Sequence, residues 1–165
     1  MENKKLARII LQMVKLDQKV RKAYEKNSSL LKKMEEIDRS NLTKMKQVVE
    51  KFGWPTLTLV GKKASYSAWL LVQHADNDVR FQERCLRLMQ QAAKKNEVSK
   101  TNIAFLTDRV LVNRGKPQIY GTQFYKNKNG KLVPRPIRNI KAVDKEREKM
   151  SLESFELYQK RIRKN

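Results

Sequence analysis

His74 is the only histidine of the 165-residue chain, and it lies beside a carboxylate in the tetrapeptide Gln73-His74-Ala75-Asp76. Imidazole titrates near neutral pH, and a neighbouring carboxylate can orient it and stabilise its charged form. The sequence therefore favours His74 as a catalytic acid or base, Asp76 as the group that orients it, and Gln73 as a ligand-binding donor. A buried histidine bonded to a main-chain carbonyl is the structural alternative, and the residue types leave both open.

Asp108 and Arg109 are adjacent charged residues inside a predicted helix, between the apolar residues Leu106 and Val110. If this helix packs against a buried one, one of the two charges faces inward. A buried arginine needs a carboxylate partner, because an unpaired buried charge costs several kcal/mol. Two interpretations follow: an internal ion pair, or a catalytic site in which Arg109 holds an anionic group of the substrate.

Residues 118–123 are predicted to form a strand-like segment with mostly polar side chains. Their amide and hydroxyl groups suit hydrogen bonding to a ligand, and Gly121 would let a ligand approach the main chain closely. The predicted ligand-binding residues of this segment are Gln118, Tyr120, Thr122 and Gln123. An edge strand with a polar face is the structural alternative.

Asp17 and Arg21 are spaced four residues apart on the first predicted helix, so they share one face. They either add to the ligand-binding set or form a surface salt bridge worth under ~1 kcal/mol. No metal is predicted, because one histidine and the single cysteine, Cys85, cannot build a zinc site. No cofactor is predicted either, since the sequence has no glycine-rich phosphate loop and no serine nucleophile motif.

The net charge of +21 is the strongest feature of the composition. Its sharpest concentration is the stretch 114–141, which contains no acidic residue. The basic residues of this stretch are Arg114, Lys116, Lys126, Lys128, Lys131, Arg135, Arg138 and Lys141. Such an excess attracts polyanions, so an anionic small molecule or nucleic acid is the predicted partner. The alternative is that lysine is merely the default surface residue of this chain.

No stretch approaches the ~18 apolar residues of a membrane-spanning helix, and the N-terminus does not resemble a signal peptide. With only one cysteine, no intramolecular disulfide is possible, and a cytoplasmic location is expected. The length fits one domain, 1–165, with a basic and flexible extreme C-terminus. The oligomeric state stays open.

Hydrophobic periodicity predicts a mainly α, compact multi-helix domain with a small β-hairpin near its C-terminal third. The helix at 64–75 is apolar nearly all round, so we expect it at the centre of the core. Asn129-Gly130 predicts a type I′ turn between strands near 118–125 and 131–136. The other predicted helices of the first half cover about 3–25, a short piece to Ile37, and 40–52, capped by Ser40 and ended by Gly53. A loop at 53–63, anchored by Trp54, precedes the apolar helix. Further helices are predicted at 79–95 after Asp76-Asn77-Asp78, at 101–114 capped by Thr101 and stopped by Gly115, and near the C-terminus, capped by Ser151.

Several motifs in a fixed order then point to a family. They include Asp17-Gln18-x-x-Arg21, Gly53-Trp54, Gln73-His74-Ala75-Asp76, Asp108-Arg109-Val110, Gly115-Lys116-x-Gln118-Ile119-Tyr120-Gly121-Thr122-Gln123 and Val143-Asp144-x-x-Arg147. In this order the chain resembles a bacterial domain family of unknown function with a QHAD … DRV … GK-x-Q-x-YGTQ signature. The resemblance implies a shared fold and a shared polar centre, but no activity.

The chain departs from that family at two places. Many relatives carry an export or lipoprotein leader, which this sequence lacks. Where the tail of the family shows paired arginines and Gly-Leu, this chain has Glu146-Arg147 and Ser151-Leu152.

Three functions are consistent with these residues, and whether the protein is an enzyme stays open among them. The first is a polar pocket that binds or hydrolyses an anionic, phosphate- or carboxylate-bearing ligand, with His74 as acid–base. The second is a nucleic-acid-binding protein, or a nuclease or toxin-like effector, that acts through its basic surface. The third is a protein-interaction module whose polar cluster is purely structural.

Overall fold

The computed structural model describes residues 2–163 and is mainly helical with a small antiparallel hairpin, which confirms the predicted fold class. The elements are α1 (Lys4–Lys26), α2 (Leu31–Phe52), α3 (Leu57–Gln73), α4 (Val79–Ala93), α5 (Lys100–Asn113), β1 (Phe124–Lys126), β2 (Leu132–Pro134), α6 (Val143–Lys149) and α7 (Phe155–Arg163). The chain forms two compact units, Met1–Val98 and Ser99–Asn165. That the whole chain is one domain stays a prediction. No helix within residues 2–163 is long and apolar enough to cross a membrane.

In the first unit, α3 packs against α1, α2 and α4. As predicted for the apolar helix, its residues are buried on several sides. Those with almost no exposed surface include Val60, Ala64, Ala68, Leu71 and Val72. His74 is the C-cap of this helix. The most buried helix of the unit therefore holds the imidazole at its C-terminal end.

The second helix is longer than the sequence predicted. It runs without a break through Ser40, which is exposed inside the helix and is not an N-cap. The break was predicted because serine is a strong N-cap residue. An exposed serine in mid-helix costs little, because its hydroxyl faces water. Gly53 ends the helix with φ +71°, as predicted, and Trp54 is buried beyond it.

The third helix begins earlier than predicted. Residues 57–60, expected to belong to a loop, form a helical turn whose N-cap Thr56 accepts a hydrogen bond from Leu59 N at 3.3 Å. Gly61 then adopts φ +77° and ψ 163°, which kinks the chain before the main helix. A glycine is favoured there because other residues rarely adopt this conformation. The sequence prediction treated the kink as the end of a loop.

Of the predicted caps of the remaining helices, one is confirmed and two are wrong. Asp78 caps α4 as predicted, accepting from Phe81 N at 2.9 Å. The N-cap of α5 is Ser99 and not Thr101, whose hydroxyl donates to the Met150 carbonyl at 3.3 Å. The predicted cap Ser151 has φ +56° and lies outside α7, which begins at Phe155. The short helix α6 was not predicted.

The hairpin of the second unit pairs β1 with β2, with Tyr125 opposite Val133. Its turn differs from the predicted type I′. Gly130 has φ +71° and its N–H donates to the Asn127 carbonyl at 2.9 Å, whereas Asn129 has no positive φ. This is a type I turn followed by a left-handed glycine, the usual form of a three-residue hairpin loop.

Candidate functional site

The carboxylate that contacts His74 is Asp17 on α1, 57 residues away in the sequence. Its Oδ1 lies 2.9 Å from His74 Nδ1, and the Asp17 side chain is fully buried. Asp76, predicted to orient the imidazole, is exposed, and its Oδ1 accepts from Gln82 Nε2 at 3.2 Å. The orienting carboxylate in this geometry is therefore Asp17, which the sequence had suggested only as a ligand-binding residue.

Arg21 joins the same cluster from the next turn of α1. Its Nε lies 3.1 Å from Asp17 Oδ1 and 3.0 Å from His74 Nδ1. One terminal nitrogen reaches Asp38 Oδ1 on α2 at 2.5 Å. Asp17, Arg21, Asp38 and His74 are called the Asp17–His74 cluster below. Three helices of the first unit build it, so it depends on the folded bundle.

Asp38 is the member of the cluster that the sequence did not predict. Met34 and Asp38 lie one helical turn apart on α2, and both contact Arg21. Without the α1–α2 pairing, nothing in the sequence connects Asp38 with Arg21. A second unpredicted contact comes from Gln18, whose Nε2 donates to Asp17 Oδ2 at 2.7 Å.

Asp17 Oδ1, His74 Nδ1 and Arg21 Nε lie within 3.1 Å of one another, which constrains their hydrogens. Arg21 Nε always carries a hydrogen, and an ionised carboxylate only accepts. A lone pair on Nδ1 would accept a hydrogen bond from Arg21 Nε at 3.0 Å, whereas a hydrogen on Nδ1 would donate to Asp17 Oδ1 at 2.9 Å. The first arrangement leaves the hydrogen on Nε2, and the second leaves the lone pair there. A general base at Nε2 needs the second arrangement.

The two carboxyl groups respond differently to burial. Burial alone would raise the pKa of Asp17, but the hydrogen bond from His74 and the charges of His74 and Arg21 outweigh it, so this pKa is lowered. Burial raises the pKa of Asp38, against the lowering effect of Arg21. Asp17 is thus the firmly ionised partner of the imidazole.

Asp17, Asp38 and His74 can each offer one metal-ligating atom, and these atoms lie within 4.8 Å of one another. The guanidinium of Arg21 contacts a carboxylate oxygen of each aspartate and Nδ1 of the histidine. It therefore already supplies the positive charge that a metal ion would supply. Binding of a metal here would require Arg21 to leave.

The second ring nitrogen of His74 faces a different environment. Its side chain is 18% exposed, and among residues 2–163 no group hydrogen-bonds to Nε2. The neighbouring Gln73 is buried, and within the same residues its amide nitrogen lacks a hydrogen-bond partner. An imidazole held through Nδ1 with Nε2 available is the arrangement of a general acid or base.

In the second unit, Asp108 is the buried member of the predicted Asp108-Arg109 pair. Its carboxylate accepts from the main-chain N–H groups of Ile119 at 2.8 Å, of Tyr120 at 3.1 Å and of Thr122 at 3.0 Å. The Thr122 hydroxyl adds a further bond at 3.0 Å. Burial raises the pKa of Asp108, while these hydrogen bonds lower it. This carboxylate anchors the 119–122 segment.

The predicted ligand-binding glutamines of this unit also bind the chain itself. Gln118 is fully buried, and its Nε2 donates to the carbonyls of Gln123 at 3.0 Å and Arg135 at 2.9 Å. The Gln123 side chain accepts from Arg109 at 3.1 Å and donates to the Thr122 hydroxyl at 3.1 Å. This bonding replaces the predicted strand and leaves the regular pairing to residues 124–126.

Arg147 is a buried cation that the sequence offered only as part of the resemblance. It is 1% exposed and donates to the carbonyls of Tyr120 at 2.6 Å and Glu153 at 2.7 Å. Its guanidinium lies 4.9 Å from the centre of the Tyr158 ring, and burial lowers its pKa. Together with Asp108, it fixes the main chain at Tyr120.

The predicted residues thus fall into two sets. Asp17, Arg21 and His74 meet in the first unit, with Gln73 beside His74 in the sequence. The residues of the second unit are Arg109, Gln118, Tyr120, Thr122 and Gln123. All the basic residues predicted for the anion-binding surface between 114 and 141 are exposed.

The fold and the site together define a mainly helical protein in which a buried aspartate of the first helix contacts a partly exposed histidine at the end of the third. The chain belongs to a family of unknown function, DUF6624, whose model matches residues 4–164. Membership in such a family, which the motif order predicted, is thereby confirmed. No curated protein and no solved structure matches the chain.

Proposed function

We propose that the Asp17–His74 cluster is a general acid–base site that hydrolyses an anionic substrate, either a phosphate ester or an ester that also bears a free carboxylate group. The observation that carries this proposal is the buried carboxylate of Asp17, which lies 2.9 Å from Nδ1 of His74. In addition, no described residue forms a hydrogen bond with Nε2 of the same ring. In the proposed role His74 carries its hydrogen on Nδ1 and donates it to Asp17, which then orients the ring and stabilises the imidazolium that forms during proton transfer.

The chemical step uses one water molecule. Nε2 of His74 takes a proton from the water as its oxygen attacks the phosphorus or carbonyl carbon. The bond to the leaving alkoxide then breaks, and the imidazolium returns the proton to the alkoxide oxygen. Asp17 stays ionised throughout, and Arg21 holds the carboxylate in place.

The anionic class of the substrate follows from charge. The chain carries a net charge of +21, which raises the local concentration of negatively charged ligands. The first unit alone holds 21 basic and 11 acidic residues. A neutral substrate would gain nothing from this field.

His74→Asn is the decisive variant, because its side-chain amide can still donate to Asp17 from the position of Nδ1 but has no counterpart of Nε2. The probes are 4-nitrophenyl phosphate, bis(4-nitrophenyl) phosphate and the mono-4-nitrophenyl ester of succinic acid, which bears a free carboxylate. We expect kcat/KM for the substrate that is cleaved to fall about 10²- to 10⁴-fold, with little change in melting temperature. Asn77→Ala, an exposed neighbouring substitution, serves as the control.

Two results would contradict the proposal. If the wild-type chain cleaves none of the three probes, the hydrolytic role is lost. If His74→Asn keeps its activity, or if His74→Asn and His74→Ala chiefly lower the melting temperature, the cluster is structural, as in the third hypothesis.

A further inference from the structure

The structure assigns a second, separate binding surface to the hairpin of the second unit, and we infer that its ligand is single-stranded nucleic acid. The surface consists of Tyr125, Lys126, Lys128, Lys131 and Arg135 and is called the basic hairpin surface. It does not depend on His74 or on the proposed hydrolysis.

The cations of this region are exposed and unpaired. Among the residues that the structure describes, seven basic side chains between 116 and 141 are exposed and form no ion pair. They are Lys116, Lys126, Lys128, Lys131, Arg135, Arg138 and Lys141. A cation without a carboxylate partner keeps its full charge for a phosphate group, and each such contact releases a counterion.

In contrast to the cations between 116 and 141, several cations of α6 and α7 form ion pairs. Lys149 pairs with Glu146 at 2.7 Å, and Arg161 pairs with Glu153 at 2.7 Å. These helices carry acidic residues beside their basic ones, whereas the stretch 114–141 carries none. A general enrichment in lysine explains a basic composition, but it does not explain why acidic residues are absent from residues 114–141.

An aromatic platform lies among these cations. Tyr125 is 40% exposed, and the Arg135 guanidinium lies 4.6 Å from the centre of its ring. Nucleic-acid bases stack on aromatic rings and on guanidinium planes, and every base offers a face for such stacking. Unpaired cations with a stacking platform suit a strand whose bases are free.

Hydrogen bonds hold the hairpin turn in one shape. Asn127 Oδ1 accepts from Asn129 N at 3.0 Å and from Lys131 N at 2.9 Å, and Asn127 N donates to the Lys131 carbonyl at 2.9 Å. Lys128 is carried by the same turn. The lysines are therefore displayed from a fixed main chain, which reduces the entropy lost on binding.

An anionic membrane is the other polyanion that charge alone would allow. The turn residues 127–131 are all Asn, Lys or Gly, so the hairpin tip has no apolar side chain to insert into a bilayer. Tyr125 contributes to nucleic-acid binding by stacking, whereas a purely electrostatic membrane contact would not use it. The observations thus favour single-stranded nucleic acid.

The test measures binding of the full chain to labelled oligo(U) and oligo(dT) of about 20 nucleotides by fluorescence anisotropy, from about 50 to 200 mM salt. Replacing Lys126, Lys128 and Lys131 by alanine should reduce the slope of log K against log salt by about 2. Tyr125→Ala should weaken binding about tenfold, and Tyr125→Phe should restore it because the stacking ring remains.

The matched control replaces three exposed lysines of the first unit, Lys15, Lys44 and Lys62, by alanine. It removes the same net charge away from the hairpin. A smaller loss of affinity than in the hairpin triple variant supports a localised surface. An equal loss overturns it, because binding would then reflect only the overall charge.

Three further outcomes would overturn the inference. They are no binding to either oligonucleotide at low salt, unchanged binding by Tyr125→Ala, and tighter binding to phosphatidylserine vesicles than to the oligonucleotides. Circular dichroism of each variant separates a loss of affinity from a loss of folding. Activity of His74→Asn on the ester probes is measured separately, so failure of one proposal does not decide the other.

Discussion

The tautomer of His74 can be measured without overlap from other imidazoles, because the chain has no other histidine. In free neutral histidine, the Nε2–H tautomer is the more common form. The carboxylate of Asp17 at 2.9 Å should reverse this preference and place the hydrogen on Nδ1. Two-dimensional ¹H–¹⁵N correlation of the neutral imidazole should show this directly.

Asp17→Asn tests the cause. An asparagine at this position can offer its amide hydrogen to Nδ1, so the histidine should return to the Nε2–H tautomer. Glu25→Gln is an exposed substitution on the same helix and should leave the tautomer unchanged. An Nε2–H tautomer in the wild-type chain would contradict the orientation proposed for the catalytic base.

The sequence identified individual residues of the cluster better than it identified their partners. Asp17 and Arg21 were recognised because their spacing of four residues places them on one helix face, and His74 because it is the only histidine and lies near a carboxylate in the sequence. The partner of His74 was assigned to Asp76, two residues away, because only near neighbours can be judged without a fold. The Asp17 contact depends on the packing of α1 against α3, and no local signal encodes that pairing.

At the scale of helices, the N-cap of α4 gives a prediction with a defined pH dependence. The hydrogen bond from Lys46 lowers the pKa of Asp78 below 3.8, and the Phe81 N–H adds to this effect. A lowered pKa in the folded state means that the stabilisation is complete above about pH 4 and is lost as the pH falls through the lowered value. Asp78 therefore stabilises the protein at neutral pH but not in acid.

Asp78→Ala should cost about 1 kcal/mol of unfolding free energy at neutral pH, because it removes both the cap and the charge. Asp78→Asn keeps a capping oxygen and should cost only a few tenths, since Lys46 is 48% exposed and its ion pair is screened. Urea unfolding at neutral pH and at about pH 3 measures both. The gap between wild type and Asp78→Asn should close in acid. A gap that persists there would show that the charge of Asp78 is not its cause.

Boundaries set by local chemistry were predicted, and those set by distant contacts were not. Asp78 and Gly53 act through their own helix ends, so their roles could be read from the sequence. Ser40 could equally cap a helix or lie on its exposed face, and only the packing of α2 decides between them. Residues 118–123 look like a strand, but bonds to Asp108, ten or more residues away, hold them in an irregular loop.

At the scale of the whole molecule, both units carry an excess of basic residues, but each proposed site lies in only one unit. The second unit holds 17 basic and 6 acidic residues in Ser99–Asn165, and the first has a similar excess in a longer segment. The Asp17–His74 cluster belongs to the first unit and the basic hairpin surface to the second. If both proposals hold, the two units have distinct functions, and each function can be removed without the other.

The division into two units also predicts how fragments fold. Residues 1–98 contain four helices and the buried centre of α3, and a chain of this length can bury its own core. We expect this fragment to show a helical circular dichroism spectrum and a cooperative thermal transition. Ala68→Asp within the fragment should abolish that transition, because Ala68 has no exposed surface and a charge there would be buried without a partner.

The result decides between two descriptions of the chain. A cooperative transition in fragment 1–98 means that the first unit is a domain, and the Asp17–His74 cluster can then be studied within it. A fragment that is helical but melts without cooperativity means that 1–165 folds as one domain, as the length and composition predicted. The tautomer of His74 in the fragment gives the sharper reading, since an Nδ1–H ring requires α1 and α3 to pack as they do in the full chain.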